Sequence, residues 1–129
     1  MTETQNTKQY DLEERTFMFA QRVREYVKKL PRTIPNIEYS GQLIRSSGSQ
    51  AANYIEANES LSKKDFFMRV KICRKETKES RLWLKLTEPL EENKAEQEEL
   101  IQEATELMKI FGSIVSNFWE FEFWKLLRI

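Results

Sequence analysis

Residues 100–118 read LIQEATELMKIFGSIVSNF. Leu100, Ala104, Leu107, Phe111, Ile114 and Phe118 follow one another at steps of four, three, four, three and four. That spacing lays side chains along one face of an α-helix and makes an apolar seam. Upstream, Asn93 with Glu96 three residues on fits a helix cap. The glutamates that follow suit the positive end of a helix dipole.

The same period occurs three more times to the N-terminal side. One seam is Leu12, Thr16, Phe19, Val23, Tyr26 and Leu30, with Asp11 and Glu14 as a capping pair and Pro31 as the stop. The next is Ile37, Gly41, Ile44, Gly48, Ala51 and Ile55, a face of branched and very small residues that begins near Pro35 and Asn36 and ends near Asn58 or Ser60. The third is Phe66, Val70, Cys73, Thr77, Ser80 and Leu84, opened by Ser62 with Asp65 and closed before Pro89. Helices of about 20–25 residues would be about 30–37 Å long. Short connections between helices of that length make neighbours antiparallel, so the sequence predicts an all-α, up-down-up-down four-helix bundle. Residues 1–129 form one domain, with 1–10 as a flexible lead-in and 119–129 as an aromatic C-terminal extension.

Composition agrees. The chain has 129 residues, 40% of them hydrophobic and 33% charged, with only three glycines and three prolines, so turns are few and elements long. One domain of this size buries a core without disulfides or metals. Cys73 stands alone and cannot form an internal disulfide. No run approaches the roughly 20 apolar residues that span a bilayer, and residues 1–9 do not resemble a secretory signal. A cytoplasmic chain with no membrane contact is expected.

The fourth segment carries a second seam beside the first: Ile101, Thr105, Met108, Gly112, Val115 and Trp119. Two readings fit. The helix is sunk deep in its own bundle, or the second stripe meets another subunit. Trp83, off the main seam of the third segment, would be an exposed aromatic on a monomer and favours the second. The candidate subunit interface is therefore Trp83, Ile101, Met108, Val115 and Trp119. Residues 117–129 add Phe118, Phe121, Phe123, Trp124, Leu126, Leu127 and Ile129, too many for one helical face. They fold back over the bundle or dock on a neighbour.

The chain has no histidine. That removes His-based acid–base catalysis, Ser-His and Cys-His nucleophile pairs, and His-ligated metal sites. Cys73 lies on a seam, where a thiol is ordinarily a small inert hydrophobe. The glycines are isolated, so no phosphate-cradling loop is present. Carboxylates near the seams, Glu56, Glu76 and Glu79, read as solvated or paired with Arg or Lys. No catalytic residue, cofactor, metal or small-molecule substrate is assigned. Arg45, Asn53 and Glu56, with Arg74 and Glu79, are candidates for a buried polar network that fixes helix register.

Formal net charge is zero, but the distribution is polar. Ser62 to Thr87 holds nine basic residues against three acidic, and Glu91 to Glu106 holds seven Glu against one Lys. Lys64, Lys71, Lys75, Lys78 and Lys85 share the outer half of the third helix. Such a stripe can follow a phosphate backbone. It can equally be a solvated face paired with the acidic helix that follows.

The stretch Gln42 to Ala57, QLIRSSGSQAANYIEA, resembles the signature of the bacterial four helix bundle protein family, also called the 23S rRNA intervening-sequence protein family. Its Gln-Leu-x-Arg start, Ser-rich turn and Asn-x-x-Glu are matched by Gln42, Leu43 and Arg45, by Ser46, Ser47 and Ser49, and by Asn53 and Glu56. Lys64-Asp65-Phe66, Arg74 and Glu79 fit its third helix. The resemblance covers roughly Asp11 to Val115. It implies a four-helix bundle, a ring-like homopentamer and no attributed enzyme activity. Some family genes lie within insertions in 23S rRNA genes, and a related branch, a retroelement accessory protein, binds nucleic acid and a reverse transcriptase. Two departures are visible: Ala57 replaces the usual glycine, and the chain is neutral where the nucleic-acid-binding branch is strongly basic.

The expected function is a non-enzymatic oligomeric scaffold, with RNA or a nucleic-acid-handling protein as partner of the third helix. The alternative is a protein-binding adaptor that uses Trp83 and the C-terminal aromatics.

Overall fold

The computed structural model describes residues 3–127 and, from Leu12 on, every side chain among them except Trp119, Phe121, Phe123 and Trp124. Four helices, α1 (Glu3–Lys28), α2 (Ile34–Asn58), α3 (Lys63–Leu86) and α4 (Lys94–Leu127), account for nearly all of it. A single 3-10 turn, Glu91–Asn93, leads into α4. Each helix packs on the next in the chain, and α4 returns to α1, which is the antiparallel bundle expected.

Local chemistry sets the ends. No glycine or proline interrupts residues 1–30, so α1 runs from Glu3, and Asp11 and Glu14 stand inside it instead of capping it. The Thr33 hydroxyl accepts the Asn36 N–H at 3.3 Å and opens α2, while Pro35 sits in the first turn, where its missing N–H costs nothing. Ser62 Oγ accepts the Asp65 N–H at 3.1 Å and opens α3. Thr87 closes α3, its N–H bonded to Trp83 O.

Three of the four seams face the core. Phe19, Val23 and Tyr26 of α1, Val70, Cys73 and Leu84 of α3, and Leu100, Leu107 and Phe111 of α4 are almost wholly enclosed. Tyr54 of α2 meets Phe111 with ring centroids 6.2 Å apart.

Helix α2 is the correction. The expected seam points outward: Ile37, Ile44 and Ile55 are 47%, 42% and 49% exposed, and of that set only Ala51 is buried. The buried face is Asn36, Leu43, Ser46, Ser47, Gln50 and Tyr54. Polar side chains are tolerated there because they are hydrogen-bonded, Ser47 to Ile44 O of its own helix and others across the bundle. Ser46 Oγ and Ser80 Oγ of α3 lie 2.7 Å apart, and Gln50 Nε2 donates to Thr16 O of α1 at 2.7 Å.

The doubled seam of α4 is answered within the chain. Arg81 of α3 donates to Thr105 at 3.2 Å, and the Arg74 side chain lies 3.7 Å from where a Cβ on Gly112 would stand. Val115 is buried, and Ile101 packs half-buried on the core. Thr105 and Gly112 of the second stripe thus lie against α3, and Val115 is turned into the core. Trp83 is not a bare aromatic either: it is half-buried and stacked on Tyr39 at 5.9 Å. Trp119 and most of the C-terminal aromatics lie outside the described side chains.

Candidate nucleic-acid interface

Helix α3 turns its seam of Val70, Cys73 and Leu84 into the core, and a row of lysines lies on the outer half. Lys64, Lys71, Lys78 and Lys85 recur every seven residues. On a straight helix that puts them about 10.5 Å apart along one slowly drifting row about 31 Å long. Lys75 stands beside the row, and all five are exposed.

The acidic face of α4 does not neutralise that row, because α1 claims it. Arg15 holds Glu103 as a fork, Nε to Oε2 at 2.7 Å and Nη2 to Oε1 at 2.9 Å, and Nη2 also reaches Glu106 at 2.7 Å. Arg22 faces Glu99 at 3.9 Å, and Lys29 meets Glu96 at 2.7 Å. Arg15, Arg22 and Lys29 are themselves spaced by seven, so one edge of α1 meets one edge of α4 along its length. The hydrogen bonds it donates to Glu103 hold the Arg15 guanidinium above its ordinary value. Hydrogen bonds from Gln102 and then Arg15 hold the Glu106 carboxyl below its own. None of Lys64, Lys71, Lys75, Lys78 and Lys85 is ion-paired with a described residue.

The expected polar network does not assemble. Arg45, Glu56 and Arg74 are exposed, and among the described residues Arg45 bonds only to Gln42 on its own helix. Asn53 accepts from Arg69 at 3.0 Å near the surface, and Glu79 is half-buried without forming a salt bridge among the described residues. Helical register explains this, since positions 45 and 56 lie opposite Leu43 and Tyr54. The buried network comprises Ser46 with Ser80, Gln50 with Thr16, and Asn36. Asn36 is 2% exposed. Its Nδ2 donates to Pro31 O at 2.9 Å and Glu88 O at 3.0 Å, and its Oδ1 accepts the Glu88 N–H at 2.9 Å. It thereby clips the α1–α2 connection to the α3–α4 connection.

Burial pushes the Cys73 thiol up to about 12, so at neutral pH it is a protonated core side chain. Among the described residues, no group of His, Cys, Asp or Glu gathers as metal ligands, and no helix is long and apolar enough to cross a membrane.

The fold and this face define a class: an antiparallel four-helix bundle in which Arg15, Arg22 and Lys29 of α1 pair with four carboxylates of α4 while the α3 lysine row faces solvent. The profile of the 23S rRNA-intervening sequence protein family matches residues 8–113, and the chain belongs to that family. It is also similar to a solved structure from Bacteroides thetaiotaomicron, a protein of unknown function from the S23 ribosomal protein family. The two are 30% identical, the match covers 81% of this chain and 97% of the other, and the TM-score is 0.68. No match was found among curated proteins. Neither the family description nor that of the solved structure names a reaction.

Proposed function

We propose that this chain is a non-enzymatic helical scaffold that assembles with copies of itself, as a ring, and offers the α3 lysine row to RNA or a nucleoprotein. The supporting observation is the asymmetry of pairing. Glu96, Glu99, Glu103 and Glu106 of α4 are engaged by Lys29, Arg22 and Arg15, while Lys64, Lys71, Lys75, Lys78 and Lys85 of α3 face solvent without an ion-pair partner among the described residues. Repetition of the row in each copy would multiply weak phosphate contacts through avidity. Membership of a family described by a ribosomal RNA insertion makes RNA the polyanion to test first.

The test is RNA binding across a salt series for the native chain and for a Lys71→Gln/Lys78→Gln/Lys85→Gln variant. Each lost phosphate contact lowers the slope of log affinity against log salt by about 0.7–0.9, so three should lower it by about 2–3 per copy engaged. An unchanged slope and affinity would refute the lysine row as the contact.

A further inference from the structure

The outward face of α2 is half apolar. Ile37, Gly41, Ile44, Gly48 and Ile55 form a stripe with the seam spacing, and each is exposed. Phe17 of α1, 58% exposed, continues it across the α1–α2 groove. A Cβ on Gly41 or Gly48 would meet nothing within 4 Å. Nothing among the described residues therefore calls for glycine at these two helix-interior positions, where each costs about 1 kcal/mol of helix propensity. A close-packed partner outside the protomer would.

The charges around the stripe select that partner. Glu14, Glu38, Glu56 and Glu59 border it, all exposed and none in a salt bridge with a described residue. The basic neighbours Arg24 and Lys28 are already held by Glu25, which leaves Arg45 as the exception. An acid-rimmed apolar stripe repels RNA and anionic lipid. It suits an apolar helix edge rimmed by cations, and the same chain carries one. Met68, Leu82 and Leu86 of α3 are 48%, 49% and 40% exposed, and Ile72 is half-buried. Met68, Ile72, Lys75, Glu79, Leu82 and Leu86 step by four, three, four, three and four, so Lys75 stands within the edge and Lys64 borders it.

We infer that the α2 stripe of one copy seats the Met68–Leu86 edge of α3 from a second copy. The inference rests on the self-association reading above and supplies its contact. The two surfaces differ, so the contact is heterologous, and repeated it closes into a ring if the rotation allows. Lys64, beside the edge, and Lys75, within it, meet the glutamates of the neighbour's α2. Lys71, Lys78 and Lys85, which the drift of the row carries progressively further from that edge, stay open to a polyanion. The candidate interface moves from the second seam of α4 to α2 and α3.

The test uses light scattering on the full chain and two variants, Ile44→Glu on the α2 stripe and Leu82→Glu on the α3 edge. Both sites are exposed, and helix content by circular dichroism checks the fold. Gly48→Gln, where the added side chain has open space, repeats the α2 test independently. The expected result is a multimeric native chain, variants that run as 15.5 kDa monomers, and, on mixing Ile44→Glu with Leu82→Glu, a species of twice that mass. Each variant keeps the surface that the other has lost, so the mixture can make one contact and no ring. A multimeric native chain whose variants keep its mass would overturn this contact and leave self-association standing. Monomeric variants that stay apart on mixing would overturn the α2-to-α3 pairing. A native chain that is monomeric at micromolar concentration would overturn both this inference and the oligomeric scaffold.

Discussion

Replacing Asn36 with alanine should destabilise the bundle by about 2–3 kcal/mol. The carboxamide makes three hydrogen bonds, two donated to Pro31 O and Glu88 O and one accepted from Glu88 N, all at 2.9–3.0 Å. A hydrogen bond of this kind contributes about 0.5–1.5 kcal/mol net, so three give about 1.5–4.5 kcal/mol. Glu88 is exposed, and water can recover part of its share, which pulls the figure to the middle of the range. For a chain of this length that corresponds to a fall in melting temperature of about 6–15 °C. Asn36→Asp separates the clip from mere shape. It keeps the acceptor for the Glu88 N–H but sets a carboxylate oxygen against two carbonyl oxygens. The positive end of α2 returns at most about 1 kcal/mol. Aspartate should therefore be no better than alanine at neutral pH, and its penalty should ease in acid as the carboxyl gains a proton to donate. Urea and thermal unfolding followed by circular dichroism, at fixed protein concentration because association shifts apparent stability, reads both. An alanine variant within about 0.5 kcal/mol of the native chain, a third or less of the low end of the hydrogen-bond sum, or an aspartate variant as stable as asparagine, would refute the clip.

Three further outcomes are expected. Gly48→Ala, with open space for its Cβ, should stabilise the isolated protomer by about 0.5–1 kcal/mol while weakening association, so unfolding at low and high protein concentration should change in opposite directions. Cys73 should resist a thiol reagent in the native state and react on unfolding, since burial holds it protonated up to about 12; rapid native labelling would contradict its place in the core. Glu25, bonded by Arg24 and then Lys28, and Glu106, bonded by Gln102 and then Arg15, both have carboxyls held below the ordinary 4.5. Depressed carboxylates stabilise the fold above their unfolded value and lose that contribution as pH falls through the folded one. Stability should therefore drop below about pH 4.5, and less steeply in a Glu25→Gln/Glu106→Gln variant; equal slopes for the two proteins would count against these pairs.

The seams of α1, α3 and α4 were legible because their buried side is also their apolar side. Helix α2 was not, because its buried side includes Ser46, Gln50 and Asn36, whose partners Ser80, Thr16 and Glu88 are remote in sequence. Hydrophobicity selects the isoleucine–glycine stripe instead, which is the face left open. The width of the apolar arc on α4 was also visible in the sequence, but choosing between a neighbouring helix and a neighbouring subunit required the position of α3. The lysine row could be read directly from its spacing. Its unpaired state could not, because the acidic stretch that follows α3 in sequence pairs with α1 in space.

The most direct test of a self-assembling scaffold with a phosphate-binding face is solution mass by light scattering, with and without a short structured RNA, at low and moderate salt. A multiple of 15.5 kDa that rises with RNA and loses the increment as salt rises is the predicted result. A monomer indifferent to RNA at either salt would contradict it.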